Sequence, residues 1–149
     1  MSRVIKLNEI IPGVLFQRGQ FVTFPVKTKI EMLERYNINM VVNLWARPDM
    51  ELHQKQGLVY IHWPIGGGDI PPLSAHMEHL ILSHMHAKPA VLIHCEAGVN
   101  RSIWLITKLL SLYYNISGPE AWEQIQGKVG RTKVRNGLFV DLETFVGHY

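Results

Sequence analysis

The feature that most constrains this chain is an apolar run that passes into a polar loop and restarts as a helix. Ala90-Val91-Leu92-Ile93-His94, entered from Pro89, is too short for a buried helix and has no polar face. Such a run is expected to be a strand covered on both sides. The pattern breaks over Cys95-Glu96-Ala97-Gly98-Val99. From Asn100 to Tyr114 it resumes with Ile103, Ile106, Leu109, Leu110 and Tyr113 on one stripe, the signature of a helix facing a core. A strand buried on both faces and followed by a helix belongs to the α/β class.

The rest of the chain agrees. Strands are expected at Val14 to Gln17, after the turn signal Pro12-Gly13, and at Met40 to Trp45, Val59 to Ile65 and Ala90 to His94. Helices are expected over Thr28 to Tyr36, Leu73 to His86, Asn100 to Tyr114 and Pro119 to about Val129. The expected architecture is a mixed or mostly parallel sheet of four to five strands flanked by helices. With 149 residues the chain fits one domain, 1–149. The apolar stretch from Ile103 to Tyr114 is interrupted by Thr107, Lys108 and Ser111 and is too short to span a membrane. The charged start Met1 to Lys6 leads into no apolar signal core, so a cytoplasmic location is expected.

The chain has a single cysteine, Cys95, so no internal disulfide forms and cysteine-based zinc schemes are poorly supported. Six positions after it comes Arg101, across a loop that runs into a helix. That arrangement suits an oxyanion. Successive backbone N–H groups of Glu96, Ala97, Gly98, Val99, Asn100 and Arg101 can curl round a phosphate, with the helix N-terminus adding partial positive charge. A guanidinium grips two phosphate oxygens through parallel hydrogen bonds, which a lysine does not reproduce. The same cradle favours a thiolate at Cys95, and the Ser102 hydroxyl is placed to donate to it when it departs. His94, just before the nucleophile, is expected to orient the loop by hydrogen bonding.

His94-Cys95, five residues, Arg101 and Ser102, preceded by Val91-Leu92-Ile93, resemble the signature of the protein tyrosine phosphatase superfamily. Ile11-Pro12-Gly13-Val14-Leu15-Phe16 and Ile38-Asn39-Met40-Val41-Val42-Asn43-Leu44 resemble core strands of its small dual-specificity or atypical members. The resemblance implies hydrolysis of phosphotyrosine, with or without phosphoserine and phosphothreonine, on a protein or peptide through a phosphocysteine, with no metal or other cofactor. It also implies a proton donor upstream of the cysteine. Asp69, in Gly66-Gly67-Gly68-Asp69-Ile70-Pro71-Pro72, is the first candidate, because glycines permit loop movement and prolines stiffen the exit. Asp49, after Trp45-Ala46-Arg47-Pro48, is the second. Glu96 is read as pointing outward from the cradle. Asn136, in a segment similar to one that packs behind the family's phosphate loop, is a candidate supporting residue.

Eight histidines invite a metal reading, chiefly His76, His79, His84 and His86, yet no Glu-x-x-His arrangement joins them and surface roles fit better. Lys128, Arg131, Lys133 and Arg135 read as a solvated face or as a hold on a polyanion. Trp45, Trp63, Trp104 and Trp122 are spread over separate elements, as core residues are. Gly98 to Ser102 is also similar to the loop end of cysteine-dependent RNA triphosphatases, which makes 5′-phosphorylated RNA the alternative substrate. A non-catalytic phosphate-binding protein and a sulfur transferase are the other readings. Phosphoinositides are disfavoured by Glu96 and Val99 where lipid phosphatases tend to carry lysines.

Overall fold

The computed structural model describes residues 5–64, 75–87, 90–95 and 101–128. In chain order these form β1 (Asn8–Ile11), β2 (Leu15–Arg18), α1 (Val26–Arg35), β3 (Met40–Asn43), α2 (Met50–His53), β4 (Val59–His62), α3 (Ala75–Ala87), β5 (Val91–His94), α4 (Arg101–Tyr114) and α5 (Gly118–Gln126). The strands make one five-stranded sheet in the order β1-β2-β5-β3-β4, antiparallel between β1 and β2 and parallel elsewhere. The mixed, mostly parallel α/β architecture expected from the sequence is therefore present.

The observed elements differ from the expected ones in several places: α2 is additional, the strand expected over Val59 to Ile65 ends at His62, and β1 is additional too, since Asn8-Glu9 gives it little apolar character. It forms as half of a hairpin whose turn, Ile11-Pro12-Gly13-Val14, closes through a 2.9 Å bond from Val14 N–H to the Ile11 carbonyl. Gly13 has φ +70°, a value that glycine adopts without strain, and Pro presets the preceding position. The strand expected to run from Met40 to Trp45 stops at Asn43. There the Asn43 side chain accepts a 2.8 Å hydrogen bond from the Trp45 N–H and turns the chain away.

Side chains alternate across the sheet, and each face builds its own core. Leu15, Met40, Val42, Val91, Ile93 and Cys95 pack with α3, α4 and α5 residues on one face, while Phe16, Val41 and Leu92 pack with α1 and α2 residues such as Met32, Leu33 and Leu52 on the other. β3 and β5 are buried at every position, as strands covered on both faces must be. α4 is buried more widely than a single stripe. Beyond Ile103, Ile106, Leu109 and Leu110, it also buries Trp104, Leu105, Thr107 and Lys108. It lies between the sheet, α3 and α5, and its polar members are satisfied locally: the Thr107 hydroxyl donates to the Ile103 carbonyl at 2.7 Å, and Lys108 lies 3.1 Å from a Glu78 carboxylate oxygen.

Candidate active site

The four parallel strands end together on one edge. In register across that edge lie Arg18 on β2, His94 on β5, Asn43 on β3 and His62 on β4. Cys95 follows His94 directly, at the carboxyl end of the central strand, and is 2% exposed. This is where open parallel sheets place their ligands. After residues 96–100, which lie outside the described residues, α4 opens with Arg101 and Ser102 and runs fourteen residues, so its first residue is six positions after Cys95. The strand expected before residues 96–100 and the helix expected after them are both present.

Cys95 points into the core cluster on the α4 face, and by alternation His94 points to the α1 face. Its ring lies 4.6 Å from that of Phe21. Burial pushes the His94 imidazole down to about 3, against a weaker upward pull from the adjoining Cys95 backbone. The charges of Arg18, His62 and Lys29 act in the same direction as burial. His94 is therefore neutral at physiological pH, and among the described residues neither of its buried ring nitrogens has a hydrogen-bond partner.

Asp49, the second candidate for the proton donor, is committed elsewhere. It is 1% exposed, both its carboxylate oxygens lie 3.0 Å from the Lys29 ammonium, and one of them also accepts from the Leu52 N–H as the N-cap of α2. A buried carboxylate so held caps α2 and neutralises Lys29, and to act as a proton donor it would have to take up a proton and weaken that pair. Asp69, residues 96–100 and Asn136 lie outside the described residues.

Around this edge is a polar framework that the sequence reading missed. Lys29 also donates to the Val22 carbonyl at 3.2 Å and lies 2.6 Å from Glu51, so one buried ammonium ties α1 to the loops that follow β2 and β3. Asn43 donates to the Arg47 carbonyl and to the Tyr60 hydroxyl, each at 2.9 Å, and Tyr60 accepts in turn from the Asp49 N–H at 2.8 Å. Burial raises the Tyr60 phenol, with the Asn43 hydrogen bond pulling the other way. A His62 ring nitrogen meets the Trp45 carbonyl at 2.7 Å. Only Pro48-Asp49, a helix-start signal ahead of Met50-Glu51-Leu52, hinted at this in the sequence.

The remaining candidates separate from the edge. Lys128 donates to the Ile10 carbonyl, and the rest of the basic run lies outside the described residues. Trp104 is core, while Trp45, Trp63 and Trp122 are half-buried. His84 pairs with Asn39 and His86 stacks on Tyr113. Among the described residues no group of three or more His, Cys, Asp or Glu side chains is arranged to hold a metal. Nor, among them, is any helix long and apolar enough to cross a membrane.

The fold is shared with known proteins. The chain is 28% identical over 123 residues to the dual specificity protein phosphatase Mpk3 of Drosophila melanogaster, a match that takes in 80% of this chain and 29% of the relative's length. It superposes on human DUSP28 with a TM-score of 0.76 at 17% identity, covering 96% of each chain. The human tyrosine phosphatase-like serine/threonine/tyrosine-interacting protein gives 0.73 at 20%, covering 96% of this chain and 97% of that one. The family model described as the DSP-PTPase phosphatase of polymorphic toxin systems matches residues 19–112, a span that runs from the end of β2 through most of α4, and the chain belongs to that family of small dual-specificity-type phosphatases.

Proposed function

We propose that the chain is a phosphatase acting on phosphotyrosine, with or without phosphoserine and phosphothreonine, in proteins or peptides, through a phosphocysteine at Cys95. The observation that carries this reading is the position of Cys95 at the carboxyl end of the central parallel strand, six residues before Arg101 opens α4. The Cys95 thiolate attacks phosphorus in line, forming a sulfur–phosphorus bond as the bond to the leaving oxygen breaks. Arg101 and the amides of residues 96–101 stabilise the equatorial oxygens, and Asp69 protonates the leaving oxygen. Water then attacks the phosphocysteine with Asp69 as base. Inorganic phosphate leaves and the thiolate returns, with Ser102 donating to it.

Turnover of a generic aryl phosphate tests the nucleophile. Cys95→Ser is expected to abolish it, and retained turnover overturns the reading. Asp69→Asn is expected to remove the pH dependence of the step that expels the leaving group, and an unchanged profile removes Asp69 from the role. A purified chain that binds phosphate tightly without turnover is instead a phosphate-binding protein, and activity on thiosulfate rather than aryl phosphate marks a sulfur transferase.

A further inference from the structure

The strand that ends in Cys95 has two neighbours, and each leads to an arginine. Arg18 is the last residue of β2, in register with His94. Arg47 follows β3, and its carbonyl is tied back to Asn43, the β3 residue in register with the same His94. Among the described residues neither guanidinium forms an ion pair. Among the described residues, Asp49 and the half-exposed Glu51 both lie against Lys29, whose one charge offsets one of theirs.

The two arginines differ in how they are held. Arg18 is half-buried, which pushes its guanidinium below the usual range, and it rests 5.4 Å from the Phe24 ring centre with one N–H donated to the Lys6 carbonyl at 3.4 Å. Desolvating a cation is costly unless acceptors meet it, and the guanidinium donors not given to Lys6 are of the kind an anion takes. Arg47 is exposed, and with Val22, Pro48, Asp49, Met50 and Glu51 it lines a groove of about 420 Å³. The exposed Met50 side chain, with Val22 and Pro48, makes much of that groove apolar, which suits a polypeptide better than a polyphosphate.

Taking the phosphopeptide reading above as its basis, we propose that Arg18 and Arg47 form a second, anion-recognising part of the site, which selects phosphopeptides carrying Asp or Glu beside the phosphorylated residue. The scissile phosphate occupies the Cys95 loop, the acidic neighbours are held by the guanidiniums on either side, and an apolar side chain of the peptide lies along the groove.

The test compares two phosphotyrosine peptides that differ only in flanking Glu against Gln, alongside an aryl phosphate and a 5′-triphosphorylated RNA. The Glu peptide is expected to have a kcat/KM about tenfold higher, by a gap that narrows with added salt. In the Arg18→Gln/Arg47→Gln double variant the ratio of the two peptides is expected to collapse toward one. Arg18→Lys/Arg47→Lys, which keeps both charges, retains a preference and controls for folding. Equal kcat/KM for the two peptides, a preference that survives the Gln variant, or RNA favoured over both peptides overturns the inference. Equilibrium binding of the two peptides to Cys95→Ser reads the same preference without turnover. An inactive wild type therefore sinks the catalytic reading alone, while equal affinities sink this one.

Discussion

Lys29 and Asp49 form a buried ion pair in which both carboxylate oxygens stand 3.0 Å from the ammonium and neither side chain is more than 1% exposed. The pair joins α1 to the start of α2, twenty residues apart in sequence, beneath the groove that borders the candidate site. Removing one partner strands the other charge out of water, which typically costs about 3 to 5 kcal/mol. Lys29→Met is expected to lower the unfolding free energy by that order in urea titrations, with Asp49 losing its partner and Glu51 turning to solvent. A loss below about 1 kcal/mol would mean that water reaches the pair.

His94 supplies a pH dependence whose sign is fixed by its burial. The folded imidazole takes a proton only near 3, whereas the unfolded one does so near 6.5. Between those values the unfolded chain binds the extra proton, so stability falls as the pH falls, by about 1.4 kcal/mol per pH unit for this one group. The gap in unfolding free energy between the wild type and His94→Asn is expected to shift against the wild type as the pH is lowered from 7 to 4. A pH-independent gap shows that the folded imidazole protonates as readily as the unfolded one.

Glu78 and Lys108 lock α3 to α4 through a pair whose side chains are no more than 5% exposed. Burial pushes Lys108 below its usual range while Glu78 pulls it back up. Lys108→Met alone is expected to destabilise the protein by about 3 kcal/mol or more, and adding Glu78→Leu to restore much of the loss, because two apolar groups leave no charge to desolvate. Additive losses in that double-mutant cycle would show that the two side chains act independently.

Asn43 holds three groups at once, the Trp45 N–H, the Arg47 carbonyl and the Tyr60 hydroxyl. Asn43→Ala is expected to cost on the order of 2 kcal/mol in stability. It also frees the loop that carries Arg47, so KM for acidic phosphopeptides should rise while turnover of a small aryl phosphate changes much less. Equal effects on both substrates would place Asn43 in support of the Cys95 loop instead.

The legible parts of the fold were those whose signal is local. β5 was readable as an apolar run, α1, α3, α4 and α5 as periodic stretches, and the hairpin turn as Pro12-Gly13. Helix ends at Asn37 and Asn115, both with positive φ, also follow a known preference. The illegible parts depended on partners distant in sequence. Asp49 reads as a loop acid until Lys29, from another helix, is brought against it, and Lys108 looks like a break in an apolar helix until Glu78 meets it. β1 exists only because β2 gives it a partner, which its own residues do not announce. The place of Cys95 at the end of β5 was readable because strand and cysteine are contiguous in sequence.

Among the described residues β5 is the last strand, yet it lies in the middle of the sheet, between β2 and β3, which do not pair with each other. A chain still being synthesised, or stalled before Val91, holds the β1–β2 hairpin and the β3–β4 pair as separate pieces, each with an open edge. The two join only when β5 slides between them, and that strand carries the thiol at its tip. Closure of the sheet and placement of the nucleophile are thus one event, and the late long-range insertion is the step expected to govern how fast the protein matures.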